Sequence, residues 1–259
     1  MSQRTSIRGY RPANGLKFRE TALRSFDAFA REFRTLFPLI PYAEYSVRSP
    51  GSFELWDKLM EKLRLGELEP AAVRAAYNLF PYCNYKTNLD EARANVSRLI
   101  DHVPLAEVGR VLSVGAGSCV IESFLASQLL SRSIFVGVDL STEMLKAADG
   151  RLPGRDLVRV VNADACALPL RTASLDLALS FSALHWLPNP GQGLREVLRV
   201  LRPRGFAFLT FNEIFFKRQF DWRAVLGSTV RIVLDEGETS RYANGDVKLH
   251  RRLVFRKRA

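Results

Sequence analysis

Cysteine is scarce in this chain of 259 residues: Cys83, Cys119 and Cys166 stand far apart, and no two of them form a Cys-x-x-Cys pair. Such spacing makes neither a disulfide framework nor a metal-ligand set, so reduced thiols, a cytoplasmic setting and no bound metal are expected. Long apolar runs are missing too. None approaches the roughly 20 residues that a spanning helix requires, and no membrane span is expected. The N-terminus shows no charged-then-apolar leader pattern. Internal repeats and low-complexity tracts are absent, which sets solenoids and disordered tracts aside. What is present is ordinary for a globular protein, at 47% hydrophobic and 25% charged residues, and the length suits one large domain or a domain with an elaborated end.

The unusual bulk quantity is a net charge of +11. It is spread unevenly, with +4 over residues 1–95, +2 over 96–212 and +5 over 213–259. The middle is nearly balanced and the excess lies at the two ends. Basic ends suit an acidic substrate, nucleic acid or an anionic surface, or are simply solvated arginines. The first 19 residues carry five basic and no acidic side chains, as in a transit segment or a flexible basic arm; residues 1–15 are taken as that arm.

From Leu16 to about Phe37 the apolar positions keep helical spacing until Pro38 and Pro41 break it. Further helices are predicted over about 52–65 and from Pro70 through Leu79. Tyr82, Cys83, Asn84 and Tyr85 make a polar-aromatic connector, and Asn88 with Glu91 resembles a capping box opening a helix to about His102. Residues 16–95 are therefore expected to form a helical cap or lid, and Tyr77, Tyr82 and Tyr85 either line a substrate entrance or pack within it.

After Pro104 the rhythm becomes strand–helix alternation. Predicted strands are Arg110–Val114, Ser133–Asp139, Val158–Ala163, Leu175–Phe181 and Gly205–Phe211, with helices at about 119–130, 142–148 and 191–201. This is the signature of a mostly parallel sheet covered on both faces. Thr229–Leu234 and Leu249–Arg256, separated by Gly237, Asn244 and Gly245, read as an antiparallel pair added at the edge. The fold class is thus α/β, with residues 96–259 as the ligand-binding domain.

The run Val111-Leu112-Ser113-Val114-Gly115-Ala116-Gly117-Ser118-Cys119 leads a strand into a glycine turn and a helix. Its glycines permit close backbone approach, and open amides at the helix start are expected to offer donors to a ligand. A dinucleotide fingerprint requires a further small residue where Val120 stands, and the branched side chain argues against that cofactor.

Four blocks in order instead resemble the class I S-adenosylmethionine-dependent methyltransferases, the broad family with the small-molecule methyltransferase core. They are Val111–Gly117; Phe135–Ser141 with Met144-Leu145; Asn162-Ala163-Asp164-Ala165-Cys166-Ala167-Leu168-Pro169; and Ser174–Trp186. The turn Leu198–Gly205 continues the likeness, which covers roughly residues 96–212. The resemblance implies a Rossmann-like, doubly wound seven-stranded sheet with an antiparallel last strand, and S-adenosyl-L-methionine as cofactor. It implies cofactor contacts at Gly115, Ala116, Gly117, Asp139, Leu140, Met144, Asp164, Ala165 and Ser180. Asp139 would accept from the ribose hydroxyls and Asp164 from the adenine amino group. Two positions depart from the pattern: Ser113 where many members carry an acid, and Cys119 where many carry glycine.

His185, at the end of the fourth strand, suits a base that takes a proton from the acceptor, or a packing residue beside Trp186. Asp176 reads as fixing a loop or a strand start. Cys119 and Cys166 lack the setting of a nucleophile. Three functions stay open: methyl transfer to a small or carrier-bound acceptor; methyl transfer to RNA; and a binding or assembly role without turnover. Against RNA, Ser180-Phe181-Ser182-Ala183 is not the Asn/Asp-Pro-Pro-aromatic tetrapeptide, and no RNA-binding module is recognisable. Neither the acceptor atom nor the oligomeric state is legible.

Overall fold

The computed structural model describes residues 16–36, 52–79, 89–149, 158–213, 221–241 and 247–259. Among the described residues four helices come first: α1 (Leu16–Leu36), α2 (Ser52–Leu65), α3 (Pro70–Leu79) and α4 (Leu89–His102). Then follow β1 (Arg110–Val114), α5 (Val120–Phe124), β2 (Ile134–Asp139), α6 (Thr142–Asp149), β3 (Val158–Asn162), β4 (Leu175–Phe181) and α7 (Pro190–Val200). The chain closes with β5 (Leu201–Asn212), α8 (Trp222–Leu226), β6 (Val230–Arg241) and β7 (Val247–Lys257).

The seven strands form one sheet in the order β3-β2-β1-β4-β5-β7-β6. The first five are mutually parallel, and β7 runs antiparallel to both β5 and β6. Chain direction across the sheet reverses between β1 and β4, so the connections leaving those strands diverge and open a crevice at their C-terminal ends.

Alternation along each strand sends successive side chains to opposite faces. On one face Val111, Leu177 and Phe208 meet Phe26 of α1, Leu99 and Ile100 of α4 and Phe124 of α5. Phe26 and Phe124 stand edge to face with centroids 5.0 Å apart. On the other face Leu112, Ala178, Leu209 and Phe255 meet Leu194 and Val197 of α7 and Trp222 and Leu226 of α8. A smaller cluster of α2 and α3 (Leu59, Leu63, Val73, Ala76) rests against Leu140 and Trp186, above the crevice. No helix among the described residues is long and apolar enough to cross a membrane.

The helices over 52–65 and 70–79 coincide with the spacing read from the sequence. Three elements differ. The helix expected over 119–130 is α-helical only to Phe124 and continues as a wider turn through Leu129, where Ser123 and Ser127 hydroxyls bond back to the carbonyls of Val120 and Phe124. β5 begins at Leu201 rather than Gly205, because Leu201 pairs with Leu175 ahead of an irregularity. β6 extends past Leu234 to Arg241, paired with β7 on both sides of an irregularity between Ile232 and Leu234. The short helix α8, capped by the Asp221 side chain, is an addition to the sequence reading. The expected basic arm over 1–15, Pro38, Pro41, the Tyr82–Tyr85 connector, Asn88, Asn244 and Gly245 lie outside the described residues.

Candidate active site

A cavity of about 340 Å³ occupies the crevice, lined among others by Gly115, Ala116, Gly117, Glu122, Asp139, Leu140, Met144, Asp164, Ala165 and His185. Nine of the ten residues expected at the site thus border one space. Ser180 does not. It is fully buried within β4, and the neighbouring wall consists of Phe181, Ser182 and Ala183. Strand alternation turns Ser180 to the face opposite Phe181. Its hydroxyl finds no hydrogen-bond partner among the described residues.

The turn after β1 places Gly115, Gly117 and Cys119 in the left-handed region, at φ of 64°, 54° and 55°. A Cβ on Gly115 would overlap the Cβ of Ala183, which follows β4. The first glycine therefore lets the β1 and β4 turns touch. A Cβ on Gly117 would meet nothing within 4 Å and would project into the cavity. Cys119 takes up a conformation that suits glycine, at the position where the family pattern has glycine. Burial drives its thiol well above the usual range, and that of Cys166 up to about 11, so both stay protonated at neutral pH.

Four amides of the glycine turn, ahead of the helix start where donors were expected, already have acceptors. Gly115 and Ala116 donate to the Val138 carbonyl, Gly117 to Asp139 Oδ2 at 2.8 Å, and Cys119 to the Ala116 carbonyl. These bonds fix the shape of the turn, and the amides at the start of α5 are not among them.

Asp139 ends β2 and staples two loops, accepting from Gly117 N and, through Oδ1, from Ser141 N at 2.8 Å. Burial raises its carboxyl above the ordinary value, opposed by these amide bonds. Each oxygen has a second lone pair with which to accept from a ligand. Asn162 at the end of β3 donates to the carbonyls of Asp139 and Leu140 and fixes that segment. Asp164 both borders the cavity and accepts from Cys166 N at 2.8 Å, so its turn-forming role and its exposure to a ligand coexist. The loop beyond it is pinned by Glu196, which accepts from Leu168 N, and by Arg199, which donates to the Leu168 and Leu170 carbonyls.

His185 is buried in a single turn of 3-10 helix, its ring 5.2 Å from that of Trp186. Tyr77 of α3 meets Trp186 edge to face at 5.9 Å, and Val73 and Ala92 add walls from α3 and α4. The N-terminal helices thus cover the cavity directly. Asn78 locks α3 to the sheet domain by accepting from Ser141 Oγ at 2.7 Å, while that hydroxyl accepts from Met144 N at the start of α6. Asp176 lies elsewhere: it holds Gly109 N and Arg110 N at 2.7 and 2.8 Å at the start of β1 and pairs with Arg202.

Glu122 and Asn212 border the cavity without having been singled out from the sequence. The available signal for Glu122 was an acid within the otherwise apolar run of α5. Ser113 Oγ donates to Glu122 Oε1 at 2.5 Å. Burial, only partly offset by that bond, pushes the Glu122 carboxyl up to about 7 from 4.5. A folded-state value above the unfolded one means that the native state binds the extra proton, so stability falls as pH rises from about 4.5 to about 7. Glu122→Gln should therefore stabilise the fold at pH 8, by about 3 kcal/mol at most, and change little near pH 4.5. Denaturant midpoints at the two pH values check this; equal effects at both would contradict it.

In a chain of net charge +11, the described cavity wall contains three carboxyls (Glu122, Asp139, Asp164), one imidazole and no lysine or arginine. That lining suits a cationic ligand with hydroxyl and amino donors better than a phosphate-bearing one.

The family described as "Methyltransferase domain" matches residues 112–209. Among similar proteins, a malonyl-[acyl-carrier protein] O-methyltransferase of Marinomonas sp. is 32% identical over 50% of this chain and 48% of its own. One from Geobacter sulfurreducens is 39% identical over 48% and 47%. A demethylmenaquinone methyltransferase of Clavibacter sepedonicus is 32% identical over 54% and 58%. The chain spans about half the length of these relatives. In fold it is similar to the [4+2]-cyclase SpnF, at TM-score 0.53 and 19% identity over 65% of this chain and 81% of that one. It is likewise similar to the MccD protein, at TM-score 0.53 and 14% identity over 65% and 98%.

Proposed function

We propose that this chain, similar over residues 112–209 to the family described as "Methyltransferase domain", is a class I S-adenosylmethionine-dependent methyltransferase that transfers a methyl group from that cofactor to a small or carrier-bound acceptor beneath its helical cap. The observation that carries this is the lining just described, three carboxyls and no basic side chain on the segments that follow or end β1, β2 and β3. The donor set fits the cofactor. Asp139 would accept from the ribose hydroxyls and Asp164 from the adenine amino group. Ala116 and Gly117 would bound the cofactor on the β1 side, and Leu140 and Met144 on the β2 side. When bound, S-adenosylmethionine supplies a methyl group on a cationic sulfur that leaves as a neutral thioether.

What the protein must add is position and dryness. Holding an acceptor at attack distance is worth several kcal/mol, about 7–11 in favourable intramolecular cases. Tyr77, Trp186 and the α3 wall exclude water from that end. His185, on the same wall, is the residue to take a proton from an attacking hydroxyl or amine. The relatives named for malonyl-[acyl-carrier protein] and demethylmenaquinone support carrier-bound and small-molecule acceptors as the classes to test.

The RNA reading rested on the basic ends, and several of those arginines have local acidic partners. Arg251 pairs with Glu213 and Asp235, Arg252 with Glu238, and Arg223 with Asp235.

Calorimetric titration with S-adenosylmethionine and S-adenosylhomocysteine tests the proposal. Both should bind, and Asp139→Ala should weaken them by about 100-fold, the worth of a charge-assisted pair of hydrogen bonds. Folded wild-type protein that binds neither would overturn the enzyme reading, and unchanged affinity in the variant would overturn the role of Asp139. Labelled methyl transfer in a cell extract, with mass identification of the product, would reveal the acceptor.

A further inference from the structure

Glu122 is a carboxyl placed where a protein would ordinarily avoid one. Its side chain is 4% exposed, on the apolar helix α5 between Ile121 and Ser123, and it borders the cavity. Its side-chain hydrogen-bond donor is the hydroxyl of Ser113 on β1, itself 1% exposed, and its own backbone amide also donates to it. The charged or titratable groups that face it are the Asp139 carboxyl from the end of β2 and the Cys119 thiol from the glycine turn, and no cationic side chain is among them. A buried carboxylate without a cation is costly, and the cost is relieved when a cation is brought to it. Glu122 borders the cavity, and a cationic ligand bound there would be brought to it.

We propose that Glu122, held in place by Ser113, recognises the α-ammonium group of the cofactor's amino-acid portion. This rests on S-adenosylmethionine being the ligand of the cavity. The acid thus comes from α5, and β1 contributes only the hydroxyl that aims it. Ser113 is a positioning residue. Its departure from an acidic residue and the presence of Glu122 are two halves of one arrangement, because an acid at both positions would set two carboxyls at hydrogen-bond distance with nothing to neutralise them.

The arrangement makes ligand binding pH-dependent. The ammonium selects the ionised carboxyl, whose proton must leave on binding. With the free carboxyl titrating at about 7, affinity should be flat above that pH and fall about tenfold per unit below it, until the bound-state value is reached.

The test compares two probes of the wild-type and variant proteins by calorimetry. S-adenosylhomocysteine carries the ammonium but no sulfonium; 5′-deoxy-5′-methylthioadenosine keeps the adenosine and thioether and lacks the amino-acid part. Glu122→Gln should weaken S-adenosylhomocysteine about 10- to 100-fold and leave methylthioadenosine within about twofold. Ser113→Ala should weaken S-adenosylhomocysteine less and displace the pH profile. Titration in buffers of different ionisation enthalpy should show wild-type protein releasing about half a proton at pH 7 and close to one at pH 6, and Glu122→Gln releasing none. Equal losses for both probes would make Glu122 a structural residue and overturn the assignment, as would full S-adenosylhomocysteine affinity in Glu122→Gln. Failure of the folded wild type to bind S-adenosylhomocysteine at all would instead overturn the cofactor reading itself.

Discussion

Gly115→Ala should destabilise the protein by about 2–5 kcal/mol and abolish measurable binding of S-adenosylhomocysteine. Two costs add. An L-residue with a side chain at φ 64° pays about 1–2 kcal/mol for the left-handed backbone. The new methyl also overlaps the Cβ of Ala183, and forcing extra atoms into a packed contact costs typically about 1–3 kcal/mol. Relief by movement is restricted, because Gly115 N and Ala116 N are tied to the Val138 carbonyl and Ser182 N to Thr210. The two contributions separate in the double variant. Gly115→Ala with Ala183→Gly should recover the steric part, leaving the backbone part. Denaturant unfolding of the two single variants and the pair measures the coupling. Wild-type stability in Gly115→Ala would show that the β1 and β4 turns are not in contact.

Arg251→Ala should cost about 3–5 kcal/mol, the typical result of stripping a buried carboxylate of its cation. Arg251 on β7 donates to Glu213 through Nε at 2.8 Å and Nη2 at 2.5 Å, and reaches Asp235 on β6 through Nη1. Glu213 is 1% exposed, so water cannot take over the guanidinium's role. Glu213 directly follows Asn212, which borders the cavity at the end of β5. The loss should therefore reach the site as weakened binding in addition to a lower unfolding midpoint. Arg251→Ala combined with Glu213→Gln removes the stranded charge and should recover part of the stability. No recovery would mean that the guanidinium acts through packing alone.

Much of this architecture was legible because it depends on local pattern. Apolar runs such as Val111–Val114 and Leu175–Phe181 are buried on both faces, and their apolar continuity shows in the sequence. The acid closing Phe135–Asp139 and the Asn162–Pro169 block placed Asp139 and Asp164 at strand ends, hence at one end of a parallel sheet. What stayed hidden were partnerships between distant segments. Nothing near Gly115 announces Ala183, and nothing near Ser141 announces Asn78. Ser180 and Ser182 are equivalent as letters, and only the end of β4 between them decides which meets the cavity. The acceptors of the glycine-turn amides were hidden too, because a sequence lists donors and not the acceptors that folding brings to them. Ser113 read alone was a missing charge; beside Glu122 it is a hydrogen-bond donor with a defined partner.

The bond from Ser141 to Asn78 bears on how freely the cap can be exchanged. Ser141 Oγ donates to α3 and accepts from the first turn of α6, while its backbone amide holds Asp139. One serine is therefore shared by the covering helices and by the ribose end of the proposed cofactor site. The helical segment is not an interchangeable module set on an independent sheet. A chimaera carrying a foreign cap would need an acceptor opposite Ser141, or would inherit a loosened α6 and a displaced Asp139. Position 78 and position 141 have to travel together.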